Sequence, residues 1–454
     1  MTENEAGNWL KEKAMAALGP NPSMGDMEKA VDKVAMESRR IALEMLVRER
    51  VQSLPFDCPA CHKPLNVISH RRLRTLETSY GRIGFERSYG FCAKCQNHAY
   101  PADTVLGLQE RARSSPRIQE ISALTALRAP AGQAEKDVYR LTGIALTAST
   151  IHREARRQGE RALKLRDAEE KLTQSSEGIA KLAASAIRLP NHSTMVIEID
   201  AWNIRERDNW GKTLAFLKAG KDTERWHWVY TATVFRLDQR GTTLSGRPVI
   251  AERGYVATRR GIESLQRQLY AEALQRGLLD AETVLILADG AIWIWNLAND
   301  RFKGAIQRVD LHHVQEHLWD LANELHGQGT PDARAWVQPY LRWLEKRKNG
   351  ALDVITSLEQ LHKNTKDFSK KEREAIVHEL QYFNEHKGRM DYKAGKAAGQ
   401  PVGSGAIEST CSQYQRRFKL TGQFWTLAGD EAFLALATLH RNDRWSRLFP
   451  HDEG

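Results

Sequence analysis

The stretch Thr283–Trp295, TVLILADGAIWIW, decides how this chain is read. Its first six residues are apolar or β-branched with no polar alternation. That texture predicts a strand buried on both faces, as in a parallel sheet. The run ends on Asp289-Gly290. A carboxylate at the end of a buried strand is costly unless a cation meets it. Gly290 lets backbone or substrate approach closely. The plain alternative is a strand-end turn, because Asp-Gly is a common turn pair.

A second strand-like run, MVIEIDAW, spans 195–202. Val196, Glu198 and Asp200 fall on one face of it, so Glu198 rivals Asp200. Asp200 is preferred because it lies nearer the strand's end. Further on, GSGAIE (403–408) reads as a glycine-lined entry to a helix with Glu408 in its first turn. An acid there also simply suits the helix dipole. Taken jointly, Asp200, Asp289 and Glu408 are three carboxylates from two strands and one helix. Such a trio can hold two divalent cations, the constellation with which an RNase H-like fold moves phosphodiester bonds. Mg²⁺ (or Mn²⁺) suits all-carboxylate ligation with retained waters. Arg416 and Lys419 fall within about 80° of Glu408's azimuth at helical spacing, where they could clamp phosphates.

The surrounding order supports an α/β catalytic domain. TMVIEIDAWNIRE, WHWVYTATVFRLD and RPVIAERGYVA predict three successive antiparallel strands, followed by an amphipathic helix over 262–278. TVLILAD is the next strand, WIWNLANDRF a helix or turn, AIQRVDL a short strand and HHVQEHLWDLANELHG a helix. Three helical patterns then break the alternation. The last opens on a Ser369…Glu372 capping box and is expected to stop at Gly388. The core is therefore expected over 193–325, an all-α insertion over 326–400, and the final helices of the core over 401–454. MDYKAGKAAGQPVGSG reads as a loop returning to the core.

The N-terminal part has a different texture. Residues 1–53 predict a tail and then one helix from Met27, suited to packing or to a dimer contact. Residues 54–105 carry Cys58-Pro-Ala-Cys61 and Cys92-Ala-Lys-Cys95 around a predicted hairpin at Gly81. Two such pairs on one hairpin make a zinc ribbon, with Cys58, Cys61, Cys92 and Cys95 as a closed tetrahedral set. His62 and His98 stand beside the pairs as bystanders. Residues 106–165 predict helices, among them QAEKDVYRLTG ending at Gly143 and TIHREARRQGERAL capped by Thr147 or Ser149. That is a helix-turn-helix pattern. Thr150, His152, Arg153, Arg156 and Arg157 are placed to meet phosphates and base edges, or else form a solvated basic face. Residues 166–192 read as a charged linking helix.

The fold class expected is thus α+β multidomain: an N-terminal zinc ribbon and helix-turn-helix, then an RNase H-like α/β catalytic domain with an all-α insertion. GSGAIEST, LADGAIWIWNLA, VDLHHVQEHLWDLA and GQFWTLAGDEAFLALATLHRNDRW resemble bacterial insertion-sequence transposases of the DDE type, in particular the ISKra-type family. The resemblance covers roughly residues 54 to 447. It implies that Asp200, Asp289 and Glu408 are the catalytic triad, and that Asp310 and His313 form an accessory D-x-x-H motif. Two departures stand out: Ala201-Trp202 follows the first acid where the family usually shows Asp-Gly, and Gln415 occupies the position seven residues after the glutamate where some DDE families carry lysine.

The implied activity is Mg²⁺-dependent cleavage of double-stranded DNA at element ends and joining to target DNA, by a homodimer assembled on DNA. Structural zinc would support the end-recognising part. Trp202, Trp293, Trp295 and Trp425 are candidates for stacking on unpaired bases, with core packing the plain alternative. Two rivals are a domesticated, non-catalytic DNA-binding regulator and a nuclease without strand transfer. A formal net charge of +10 favours polyanionic partners. No run approaches a membrane span, and the acidic, polar N-terminus does not read as a signal peptide, so a cytoplasmic location is expected.

Overall fold

The computed structural model describes residues 3–186, 192–207, 211–222, 224–364 and 368–450. The chain divides into two compact units: Met1–Gln158 with Leu448 onward, and Gly159–Arg447. Among the described residues no helix is long and apolar enough to cross a membrane.

In the first unit, α1 (Glu3–Met15) and α2 (Met24–Gln52) precede a three-stranded antiparallel sheet of β1 (Asn66–Thr78), β2 (Gly81–Cys92) and β3 (Asn97–Ala99), in the order β1-β2-β3. The expected tail is therefore partly helical. Ser23 and Asp26 form a capping box that starts α2 ahead of the expected Met27. Between β1 and β2 the chain turns through Ser79-Tyr80, and Gly81 takes φ +109°, a conformation that favours glycine. Leu76, Ile83 and Phe85 are buried on the sheet against Leu43, Val47 and Val51 of α2. Next come α3 (Pro101–Val105), α4 (Pro116–Arg128), α5 (Ala131–Thr142) and α6 (Ala148–Leu172). Gly143 ends α5 in the left-handed region, and Thr147 caps α6 through the amide of Thr150. The division between the two units falls within α6.

The second unit is a mixed α/β layer structure. The linking segment comprises the end of α6 and then α7 (Ser176–Ala184), not one helix; residues 187–191 of that expected element lie outside the described residues. The sheet contains β4 (Thr194–Glu206), β5 (Arg225–Arg236), β8 (Gly254–Thr258), β9 (Thr283–Ala288) and β10 (Ile306–Val309), in the order β10-β9-β4-β5-β8. A short helix, α8 (Thr213–Lys218), lies between β4 and β5, and a two-stranded ladder, β6 (Arg240–Thr242) with β7 (Pro248–Ile250), precedes β8. β4, β5 and β8 pair antiparallel, while β9 pairs parallel with β4, and β10 parallel with β9.

RPVIAERGYVA is thus two strands rather than one. Its first part forms the ladder, and its second joins the main sheet from Gly254, where a Cβ would have to displace the side-chain ends of Glu272 and Arg276.

The apolar residues of β4 divide by parity. Met195, Ile197 and Ile199 join a large core with α9 (Ile262–Gln275), α10 (Ile292–Arg301) and α11 (Leu311–His326). Val196 faces the other way, with Phe235, Leu285 and Ala406. Burial on both faces explains the uninterrupted apolar run of β9. The helices α12 (Pro331–Lys346), α13 (Gly350–Lys363) and α14 (Lys370–His386) extend the first core. Ser369 and Glu372 form the expected capping box of α14, but the helix ends at His386 and passes into a 3₁₀ turn over 387–389, so Gly388 does not end it. The expected return loop contains α15 (Tyr392–Ala397), capped by Asp391. α16 (Gly405–Phe418) covers β4 and β5, and α17 (Leu427–Arg441) packs on β8.

Candidate functional site

Strand register assembles an acidic centre in the second unit. Ile199 of β4 pairs with Ala288 of β9, and Ala288 pairs with Val309 of β10. One residue further along each chain stand Asp200, Asp289 and Asp310. Asp289 and Asp310 therefore follow the carboxyl ends of β9 and β10, where open α/β sheets bind ligands, and Asp200 lies beside them midway along the longer β4. Asp200 remains paired with Thr231 of β5, whereas β9 and β10 have already ended.

Glu408 reaches this edge from α16. Two hydrogen bonds fix that helix along the face of β4 that carries Glu198 and Asp200. The Ile407 amide donates to Glu198 Oε2 at 2.8 Å, and the Cys411 thiol donates to Asp200 Oδ2 at 3.5 Å. Glu198, the rival carboxylate, is 1% exposed and lies beneath the first turn of α16. Burial pushes its carboxyl up to about 8, with the Ile407 amide opposing the shift. Glu198 is thus a buried support for the helix rather than an open ligand.

Asp200 is half-buried, and its carboxyl is raised first by desolvation, then by repulsion from Asp289 and Glu408, against hydrogen bonds from Ala201 and Cys411 that lower it. Carboxylates that raise one another in this way share one neighbourhood. Among the described residues no lysine, arginine or histidine stands within ion-pair distance of Asp200, Asp289 or Glu408. Mg²⁺ takes few carboxylates with several waters. The trio is open: its ligand atoms do not form one of the groups lying wholly within 4.8 Å of one another.

Local structure explains each acid's position. Asp289 Oδ1 accepts the Ala291 amide at 3.0 Å, turning the chain into α10. Gly290 takes φ +109°, and a Cβ there would meet His386 Nε2 at 3.4 Å and Tyr382 Oη at 3.5 Å. Asp310 is buried. Its Oδ1 caps α11 through the amides of His312 and His313, and its Oδ2 accepts the Ser404 amide at 2.6 Å and the Ser404 hydroxyl. The carboxylate is fully occupied by these donors, so Asp310 anchors the loop leading to Glu408. His313 is placed differently. It is half-exposed, 3.5 Å from Glu316 and edge-on to His317.

The four cysteines of the first unit fit zinc. Cys58 and Cys95 sulfurs are 3.9 Å apart, and Cys61 and Cys92 sulfurs 3.5 Å apart. Zinc–sulfur bonds of about 2.3 Å in a tetrahedron place sulfurs roughly 3.8 Å apart. All four lie in one group. The Cys95 amide donates to Cys92 Sγ at 3.4 Å, which holds that thiol low, at about 7. His62 and Gln96, just after the two pairs, both take positive φ, as the tight turns require. His62 and His98 are not in the sulfur group.

The expected basic contacts are unequal. Arg153 and Arg156 are exposed on α6, but Arg157 is half-buried and donates to the Glu110 carbonyl at 2.6 Å. Arg416 is exposed on α16. Lys419 follows that helix, its ammonium 5.6 Å from the Trp202 ring centre. Trp202 and Trp295 are buried, and Trp425 packs against Phe418 and Phe433. Trp293 packs edge-on to Tyr230. Core packing, not base stacking, accounts for Trp202 and Trp295.

Sequence reasoning missed Ser404, Cys411, Tyr382 and His386 around the acidic centre. Only Ser404 carried a signal, between two glycines just ahead of Glu408. No family model matches this chain, and no curated protein matches it.

Proposed function

We propose that this chain is a DDE-type DNA transposase that binds insertion-sequence ends and catalyses Mg²⁺-dependent DNA cleavage and strand transfer. The observation that carries the reading is the register that sets Asp200, midway along β4, beside Asp289 just past the end of β9, with Glu408 on the helix above. The sheet order, with the first strand between an antiparallel pair on one side and two parallel strands on the other, supports an RNase H-like core. The helices α12 to α14, interposed before Glu408, support the expected insertion.

In this reading Asp200, Asp289 and Glu408 would hold two Mg²⁺ ions, which when bound would supply a lowered water pKa and charge stabilisation for an in-line displacement at phosphorus. Glu408 comes from a helix fixed by Glu198, and Asp310 holds its approach loop, so the acids are set before substrate binds. Cleavage breaks the P–O3′ bond as a water oxygen bonds to phosphorus, leaving a 3′-hydroxyl and a 5′-phosphate. Joining repeats the displacement with that 3′-hydroxyl as nucleophile on a target phosphorus: its proton passes to solvent, the target P–O3′ bond breaks, and the leaving 3′-oxygen takes up a proton. Arg416 and Lys419 contact phosphates flanking the scissile bond. The cysteine-bearing sheet and the α5–α6 pair recognise element ends in double-stranded DNA, with a homodimer pairing two ends.

The test is cleavage and joining of DNA carrying the element's own ends, with Asp289→Ala and Glu408→Ala beside the wild type and DNA binding measured in parallel. Loss of both reactions with binding retained supports the proposal. Binding without wild-type cleavage, across metals and end sequences, moves the assignment to a DNA-binding regulator. Cleavage without joining moves it to a nuclease.

A further inference from the structure

A second group of metal-type ligands lies outside the acidic trio. His317 on α11 and His378 and Glu379 on α14 bring their ligand atoms within 4.8 Å of one another. The Glu379 side chain is 7% exposed. His317 Nδ1 is 2.9 Å from its Oε2, and His378 Nδ1 is 2.9 Å from its Oε1. Among the described residues no lysine or arginine stands within ion-pair distance of Glu379. A buried carboxylate without a fixed counter-charge is expensive, so the site calls for positive charge between or on these rings. Tyr382 stacks on His317 with ring centres 3.7 Å apart, and His313 meets it edge-on at 4.9 Å. Packing on two sides fixes the ring plane, as ligand orientation requires.

We propose that His317, His378 and Glu379 bind a divalent transition-metal ion of the zinc class. Two imidazoles and one carboxylate form a recurrent zinc donor set, leaving a fourth position for water. The ion replaces the two N–O hydrogen bonds with coordinate bonds, and both imidazoles bind as neutral ligands. Because α11 begins at Asp310 and α14 carries Tyr382 and His386 against Gly290, the ion locks the helical insertion beside the acidic centre. The inference does not depend on the transposase reading.

The experiment titrates the full chain with zinc chloride against a chromophoric chelator and measures bound zinc after dialysis. Two zinc ions per chain are expected, one at the cysteines. His378 is 71% exposed, so His378→Gln leaves the fold intact. It should weaken the second site at least about tenfold, as lost coordination does, with circular dichroism unchanged. Cobalt(II) separates the sites: the cysteine quartet gives intense thiolate charge-transfer bands, and the second site only weak d–d bands. Loss of those weak bands in His378→Gln and Glu379→Gln, with thiolate bands retained, supports the proposal. A wild type with thiolate bands alone, or weak bands unchanged in both variants, overturns it.

Discussion

Ser404 donates both its backbone amide and its hydroxyl to Asp310 Oδ2, although the two residues lie 94 positions apart in sequence. The same hydroxyl oxygen is 3.4 Å from Glu408 Oε1. A carboxylate at a strand end thus fixes the loop from which another acid is presented. Asp310→Ala should destabilise the chain by about 2–3 kcal/mol, because two helix amides and Ser404 lose a charged acceptor. Ser404→Ala should cost about 1 kcal/mol. Urea denaturation of both variants checks the ranking, and equal losses would refute it.

Glu198 should give the chain a pH-dependent stability. Its carboxyl lies at about 8 when folded against an ordinary 4.5, so folding favours the protonated form. The contribution is present below the ordinary value and lost as pH rises through about 8. The loss is on the order of several kcal/mol. Glu198→Gln should flatten the stability profile between about pH 5 and pH 8. Denaturant midpoints across that range measure it, and parallel profiles for both proteins would exclude Glu198 as the source.

Gly290 should resist substitution. Its φ of +109° strains any side chain, although a Cβ would meet His386 and Tyr382 only at ordinary contact distance. Gly290→Ala should cost about 1–3 kcal/mol and lower cleavage, since Asp289 precedes it. A variant as stable and active as the wild type would show that the turn relaxes freely.

Removing metal from the cysteine quartet should loosen the cysteine end of the sheet β1–β3 and spare the second unit's sheet. At that end the quartet has Leu65 and Phe56 as its main apolar partners, whereas Leu76, Ile83 and Phe85 keep their packing against α2. Hydrogen exchange after chelation should show lost protection over 90–99 and retained protection over 76–85 and 194–206. Protection unchanged in the first segment would refute a structural role for the metal.

Arg153 and Arg156 offer a sharper test of DNA contact than total charge. Replacing both with alanine should weaken duplex binding and reduce the salt dependence of log K by about 2, one for each lost phosphate contact. Arg157→Ala should act mainly on stability, because its guanidinium holds the Glu110 carbonyl. A salt slope unchanged in the double variant would remove α6 from the interface.

What the sequence made legible was the local part of this structure. Strands β4 and β9 follow from apolar runs, the capping box of α14 from Ser369 and Glu372, and the metal-type quartet from the spacing of its cysteines. The break between β7 and β8 was hidden because the neighbours of Gly254, Glu272 and Arg276, come from a later part of the chain. The helix α15 was obscured by small residues that also suit loops. Within the site, Asp200, Asp289 and Glu408 were each nameable, but the roles of Glu198 and Asp310 were not. Those depend on which backbone amides arrive from α16 and from Ser404. His317 and Glu379 were unreadable as a pair, because nothing in a helical pattern says which face meets which neighbour.

The unequal strand lengths beside Asp200 also bear on self-association. β4 has β9 as a neighbour only as far as Ile199, and at its far end Trp425 bonds to Arg205 and Arg207. Between those limits, roughly five residues or about 17 Å of strand, β5 is its only sheet partner among the described residues. That overhang is bounded at both ends by pairings already made, which confines any added strand to the short length beside the acids.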